Sequence, residues 1–240
     1  MIQQEAKKLI TDAIASGRKS LLEPEAKEII KAWGIPVPPF FVAKDRNLAM
    51  GAGNNIGYPV VLKVISGDIL HKTEAGGVRM GLKNEQEVEE AFNEMIFEIS
   101  DHMPTARIEG FLIEKMAAKG VEVIVGGIRD AQFGPAVMFG LGGMTVELLK
   151  DVSFRLAPVT REECLDMISE IKAHPLLTGY RGAEPSDIDV IVDCIIKVGN
   201  IMDAVDEIKE MEVNPLIVYE KGAMAVDARV VLWSEPTVLA

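Results

Sequence analysis

The sequence predicts an α+β fold in two lobes. Strand-like runs alternate with helix-like runs along most of the 240 residues. Three strand runs in the middle follow one another without a helix between them, so neighbouring strands pair antiparallel, and the chain closes on a hairpin. A clean doubly wound sheet would need a helix after every strand.

The elements follow in order. Ile2, Ala6, Leu9, Ile10, Ala13 and Ile14 fall at helical spacing, predicting an amphipathic helix over 2–16 before Gly17-Arg18-Lys19-Ser20. A second helix begins after Glu23-Pro24 and stops at Trp33-Gly34. Ile35-Pro36-Val37-Pro38-Pro39 is a stiff extended connector, because proline fixes φ and restricts the residue before it. It leads to a strand at Phe40–Ala43, a helix over Arg46–Asn54 and a strongly apolar strand at Pro59–Ile65. A glycine-bearing loop covers Ser66–Gly77. A strand at Val78–Leu82 and a helix over Glu85–Ser100 come next. Ile108–Lys115, Val121–Ile128 and Ala136–Leu141 read as strands. A glycine-rich turn and a short acidic helix precede a strand at Val152–Pro158. Helices are expected over Arg161–Ala173 and Ser186–Ile208. Met211–Tyr219 and Ala223–Leu232 form the hairpin, turned at Glu220-Lys221-Gly222. The expected division is an N-terminal helix over 1–22, a first lobe over 23–113 and a second over 114–240.

Composition removes several function classes. Hydrophobic residues make up 48% and charged residues 26%, which excludes intrinsic disorder. A net charge of -12 argues against a general nucleic-acid binder, which needs a positive footprint. Any phosphate must be held by local donors or a metal against the overall field. No apolar run reaches membrane-spanning length, and MIQQEAKKLI lacks an apolar signal core, so a cytoplasmic protein is expected. Cys164 and Cys194 both lie in helix-like patterns and are expected to be buried structural thiols; two cysteines make neither a disulfide framework nor a metal site.

Five places ask for a chemical reason. Lys63 sits inside Pro59-Val60-Val61-Leu62-Lys63-Val64-Ile65, where a buried ammonium costs several kcal/mol unless an anion pairs with it. A phosphate partner is one solution; a lysine head reaching water from a strand end is the other. Asp68-Ile69-Leu70-His71-Lys72-Thr73-Glu74-Ala75-Gly76-Gly77 couples a histidine to charged groups. Its glycine pair can turn N–H groups toward an anion. His71 is open to the roles of base, ligand, phosphoryl acceptor or solvated loop histidine. Glu114-Lys115-Met116 ends one strand and Glu122 lies in the next; two carboxylates there suit either a ribose grip or a solvated turn. Phe139-Gly140-Leu141-Gly142-Gly143 before Met144-Thr145-Val146-Glu147 is either an anion-receiving helix approach or a tight turn. In the closing hairpin, Glu212 and Asn214 share a strand face, as do Asp227 and Arg229. An even turn centred on Glu220-Lys221 sets Asn214 opposite Asp227 and Glu212 opposite Arg229. Hard oxygen ligands so placed suit Mg²⁺ held against phosphates, and equally suit a cross-strand salt bridge and hydrogen bond.

Together these segments resemble the ATP-grasp family, and within it the beta subunits of ADP-forming acetyl-CoA synthetases (NDP-forming acyl-CoA synthetases). The matching stretches are GYPVVLKVISGDILHKTEAGGVRMGL at 57–82, GFLIEKMAAKGVEVIVGGIRDAQFGPAVMFGLGG at 110–143, ELLKDVSFRLAP at 147–158, and MEVNPLIV with VDAR at 211–229. Each alone is weak; their co-occurrence in order is specific. The resemblance implies a two-lobed ATP-grasp fold with ATP or ADP between the lobes. It places Lys63 on the nucleotide phosphates, Glu114, Lys115 and Met116 at an adenine-facing hinge, and Glu122 on the ribose. Asn214 and Asp227 would hold Mg²⁺. His71 would accept a phosphoryl group, Gly76 and Gly77 of its loop would belong with the nucleotide-binding residues, as would Arg155, and Glu212 would orient or charge-stabilise the phosphohistidine. Arg155 and the Gly142-Gly143 turn would border the same path. The implied reaction is acyl-CoA + phosphate + ADP ⇌ acid + CoA + ATP. A CoA-binding alpha subunit would complete the enzyme in an α2β2 assembly, without nucleic acid or membrane as partner. The competing readings are a succinyl-CoA synthetase-like beta subunit, a stand-alone ATP-grasp carboxylate ligase and a non-catalytic nucleotide-sensing subunit.

Overall fold

The computed structural model describes residues 2–69, 71–142 and 151–233. The chain forms two compact units, one of Pro38–Ala118 and one drawn from Met1–Val37 and Lys119–Ala240. This division differs from the boundaries expected at 22/23 and 113/114. The apolar faces of helices α1 (Ile2–Ala15) and α2 (Glu23–Ala32) explain the difference. Ala6, Ile10, Ala26, Ile29 and Ile30 share one core with Val213, Val230 and Leu232 near the other end of the chain. Leu21 N–H donates to the Val230 carbonyl at 2.9 Å, and Leu232 N–H to that of Lys19 at 2.8 Å.

The unit of Pro38–Ala118 is a four-stranded antiparallel sheet backed by two helices. Its strands are β1 (Phe40–Ala43), β2 (Val60–Ile65), β3 (Val78–Leu82) and β4 (Gly110–Lys115), in the order β1-β4-β2-β3. Helices α3 (Arg46–Ile56) and α4 (Glu85–His102) start on side-chain caps. Asp45 accepts from Leu48 N–H at 2.9 Å and Asn84 from Glu87 N–H at 2.9 Å, each satisfying a donor the helix leaves open. Val60, Leu62, Val64, Phe111 and Ile113 pack with Val88, Phe92 and Met95 in this unit's core. By strand alternation, Val61, Lys63, Ile65, Leu112 and Glu114 take the other face. Every residue of β2 is buried, as its apolar run predicts.

The second unit is a larger antiparallel sheet with helices on one face. Strands β5 (Val121–Asp130), β6 (Gly134–Leu141), β7 (Val152–Leu156), β8 (Ile208–Val218) and β10 (Ala228–Leu232) run in the order β10-β8-β5-β6-β7, and β9 (Ala223–Ala225) pairs with β8. Helices α1, α2, α5 (Arg161–Glu170) and α7 (Ile188–Ala204) supply the covering core residues, with the short α6 (His174–Leu177) between the last two. Gly127 permits the close approach of α7, since a Cβ there would lie 3.0 Å from Met202 Sδ and 3.3 Å from Val198. The Arg129 guanidinium closes the C-terminus of α7, donating to the carbonyls of Met202, Val205 and Ile208. That clamp accounts for a helix ending at Ala204 rather than 208, with Ile208 already opening β8. The final strand is split at Val226-Asp227, yet the register holds through Asn214 N–H to the Asp227 carbonyl at 3.2 Å. Cys164 and Cys194 are buried in α5 and α7, and burial pushes each thiol up to about 11. The expected acidic helix, Gly143 and Met144–Glu147 lie outside the described residues. Among those described, no helix is long and apolar enough to cross a membrane.

Candidate functional site

The open face of the large sheet gathers one set of the sequence-selected residues. Arg229 pairs in register with Glu212, Glu212 with Gly126, Gly126 with Met138, and Met138 with Phe154. This row lies opposite the core-facing Met211, Val213, Val230 and Val137. The expected register of the closing hairpin is thus the observed one. Asn214 Nδ2 donates to Glu212 Oε1 at 2.8 Å. That bond fixes the amide and turns its nitrogen toward Glu212; Asp227 Oδ1, across the hairpin, accepts from Ala228 N–H at 2.8 Å. Glu212, Asn214 and Asp227 are all half-buried, while Arg229 is exposed. No ion pair joins Glu212 to Arg229 among the described residues.

Two carboxylates and an amide oxygen on one face suit a hard divalent cation that keeps waters and takes further oxygens from a phosphate. Among the described residues, no group of three or more His, Cys, Asp or Glu could hold a metal ion by itself. The chemistry of the donor set, hard oxygens only, fits Mg²⁺. Glu122, at the start of β5, keeps an exposed side chain while its carbonyl accepts from Gly142 N–H at 2.7 Å.

Arg155 is not brought to that face. It pairs in register with Val137, a core residue, and its guanidinium binds Glu170 of α5. The hydrogen bond to Glu170 raises the Arg155 pKa, and the same contact lowers that of Glu170. The period of two along β7 sends Ser153 and Arg155 under the helices and leaves Phe154 and Leu156 exposed.

The small unit carries the second set. Lys63 Nζ lies 2.8 Å from Glu114 Oε1, with side chains only 8% and 3% exposed. The anion that a buried ammonium needs is thus supplied from the neighbouring strand, where Glu114 sits opposite Val61, two residues before Lys63. The water-reaching lysine is excluded. Sequence reasoning placed Glu114 at a hinge and missed this pairing. The signal was a lone charge inside the apolar run PVVLKVI and an acid closing the apolar stretch of GFLIEK. Lys115 Nζ donates to the carbonyls of Gly57 at 3.0 Å and Tyr58 at 2.7 Å, so its ammonium fastens the strand end. Met116 N–H donates to the Pro59 carbonyl at 3.1 Å.

His71 stands exposed at the head of a tight turn. Its carbonyl accepts from Ala75 N–H at 3.1 Å, and that of Lys72 from Gly77 N–H at 2.7 Å. Gly77 is required there: a Cβ would fall 2.5 Å from Val64 Cγ1 and 3.1 Å from the Lys72 carbonyl oxygen. Upstream, Asp68 Oδ2 accepts from Arg107 N–H at 2.8 Å, pinning the loop entry. The imidazole makes no hydrogen bond among the described residues.

The ATP-grasp domain family matches residues 12–232. This chain belongs to the ATP-grasp family. The ATP-grasp chain is 52% identical over 227 residues to the acetate--CoA ligase [ADP-forming] I subunit beta of Pyrococcus furiosus, covering 95% of this chain and 97% of that one. Its structure is similar to the dinucleotide forming acetyl-coenzyme A synthetase 1 of Ca. Korarchaeum cryptofilum in complex with coenzyme A, Ca-AMPCP and HgCl+. That likeness has a TM-score of 0.93 at 48% identity, over 95% of this chain and 100% of that one. A second structure of the same synthetase holds coenzyme A and Mg-AMPPCP, with a phosphohistidine segment pointing towards its nucleotide binding site. It matches at TM-score 0.84 and 46% identity, again over 95% of this chain and 100% of that one. The resemblance drawn from the sequence, in family and in fold, is borne out by these matches.

Proposed function

We propose that this chain is the nucleotide-binding beta subunit of an ADP-forming acyl-CoA synthetase of the acetyl-CoA type. It passes a phosphoryl group through His71 to ADP. The observation that carries this is the exposed His71 imidazole at the head of an ordered turn. It stands in a chain whose relative is named for the same ligase and is matched almost end to end.

The assigned chemistry follows from the side chains. Neutral imidazole is a good nucleophile, and a phosphorus–nitrogen bond keeps its transfer potential. A partner's phosphohistidine gives up its phosphorus to a nitrogen of His71, breaking one P–N bond as another forms. A terminal oxygen of ADP then takes the phosphorus, the second P–N bond breaks, and the imidazole returns neutral. Lys63 supplies positive charge to the phosphates, exchanging part of its pairing with Glu114 for them. Asn214 and Asp227 hold Mg²⁺, which when bound neutralises phosphate charge, and Glu212 orients the incoming phosphohistidine. Glu122 takes the ribose and the Glu114–Met116 backbone faces the base. The partner is a CoA-binding alpha subunit, and the assembly we propose is α2β2 in the cytoplasm.

The test is intact mass and acid lability after incubation with Mg·ATP, with the chain alone and with its alpha partner. An acid-labile phosphoryl adduct that disappears in His71→Ala is the expected result. Transfer persisting in His71→Ala with the partner present would remove the relay and favour a carboxylate ligase using an acyl phosphate directly.

A further inference from the structure

The loop that carries His71 is fastened from behind. Arg79 of β3 pairs in register with Leu62, a core residue, so its side chain lies on the helix-backed face of the small sheet, opposite Lys63. There its guanidinium makes a forked contact. Nη1 donates to the carbonyls of Gly76 at 2.8 Å and Val78 at 3.2 Å, and Nη2 lies 2.7 Å from Glu98 Oε1 of α4. Glu94 Oε2 stands 4.0 Å from Nε. The Glu98 side chain also closes over Gly76, where any Cβ would collide with its carboxylate. Gly76 has φ +71, a left-handed conformation that glycine adopts without strain.

We propose that Arg79 and Glu98 form a positioning pair for His71. They hold the Gly76 carbonyl from the far side of the sheet and thereby fix the His71–Gly77 turn in its transfer-ready geometry. Planarity makes arginine suited to this: one guanidinium satisfies a carbonyl and a carboxylate together, which a lysine ammonium does less well. Arg79 lies on the face opposite Lys63, the residue assigned above to the phosphates, so the role proposed for it runs through the turn. The turn's own bonds carry the constraint forward, from Gly76 N–H on the Thr73 carbonyl at 3.2 Å to Ala75 N–H on that of His71. This assignment rests on the relay role of His71 proposed above.

The experiment uses the alpha–beta complex with Mg·ATP and rapid quenching, comparing wild type, Arg79→Ala, Arg79→Lys, Glu98→Gln and His71→Ala. Arg79→Ala is expected to slow phosphorylation of His71 on the order of tenfold to a hundredfold while nucleotide Kd stays within about twofold, because only alignment is lost. Arg79→Lys and Glu98→Gln should fall between. Amide hydrogen exchange should quicken at Ala75 and Gly77 in Arg79→Ala and not in β2 or α4, which separates a loosened turn from a damaged unit. An unchanged phosphorylation rate, or a rate loss matched by an equal loss of nucleotide affinity, would overturn the proposal. A His71→Ala complex that still transfers would instead remove the relay, and the positioning role with it. With His71→Ala inactive, the Arg79 result stands or falls alone.

Discussion

At the scale of single residues, the Lys63–Glu114 pair sets the chemistry of the small unit. Two opposite charges buried side by side gain little net stability, because each loses its hydration; leaving one without the other is what costs. Glu114→Gln should therefore destabilise the protein by about 3 kcal/mol, whereas Lys63→Met combined with Glu114→Leu should recover most of that loss. Denaturant midpoints measure both. Neither variant should transfer a phosphoryl group, since both disturb the cation we assign to the phosphates. Full transfer by the double variant would exclude Lys63 from that role. The need for an anion at Lys63 was legible from the apolar run around it. Its identity was not, because a partner on an adjacent strand depends on register, which local sequence does not encode.

At the scale of elements, the closing hairpin was readable because a short polar turn between two apolar-alternating strands fixes the pairing. Glu212 opposite Arg229 and Asn214 opposite Asp227 followed by counting. Strand β7 shows where counting is not enough. Its two large apolar residues, Phe154 and Leu156, are 51% and 55% exposed. Ser153 and Arg155 go under the helices instead, satisfied by the Met167 carbonyl at 2.9 Å and by Glu170. A covered polar group is tolerable once its partners are in place, and those partners come from α5, which the strand's own residues cannot reveal. A further element-scale expectation concerns Asp187 at the start of α7. Its carboxylate accepts from Gly222 N–H at 2.8 Å and Val190 N–H at 3.1 Å, tying the helix to the hairpin turn. The Gly222 bond lowers its pKa most. A depressed carboxylate pKa contributes stability above the ordinary carboxylate range, and that contribution is lost as pH falls through the folded value. Asp187→Ala should thus cost about 1 kcal/mol near neutral pH, with the difference from wild type shrinking in acid. Thermal melts across pH would show the two curves converging; parallel curves would mean the charge contributes nothing.

At the scale of the whole molecule, the division into units was the least legible feature. A discontinuous unit, with residues 1–37 returning to the sheet of 119–240, leaves no mark in local periodicity; it arises from which apolar faces meet. The unit of Pro38–Ala118 is continuous, and its first and last strands are neighbours, Phe40 pairing with Glu114. Its chain therefore enters and leaves side by side, as in domains that tolerate insertion. Built on its own core of Val60, Leu62, Met95, Phe111 and Ile113, the fragment 38–118 should fold alone. Cooperative unfolding and dispersed methyl resonances are the expected signs. A collapsed fragment without them would mean that this core needs the rest of the chain.

The two buried thiols carry one more consequence. An alkylating reagent attacks thiolate, and sites held near 11 and shut from solvent offer almost none. Cys164 and Cys194 therefore become reactive only in molecules whose α5 or α7 has lifted from the sheet. Thiol oxidants pass these two sites by while the helices stay seated, and the slow uptake of label becomes a clock that counts how often each helix lets go.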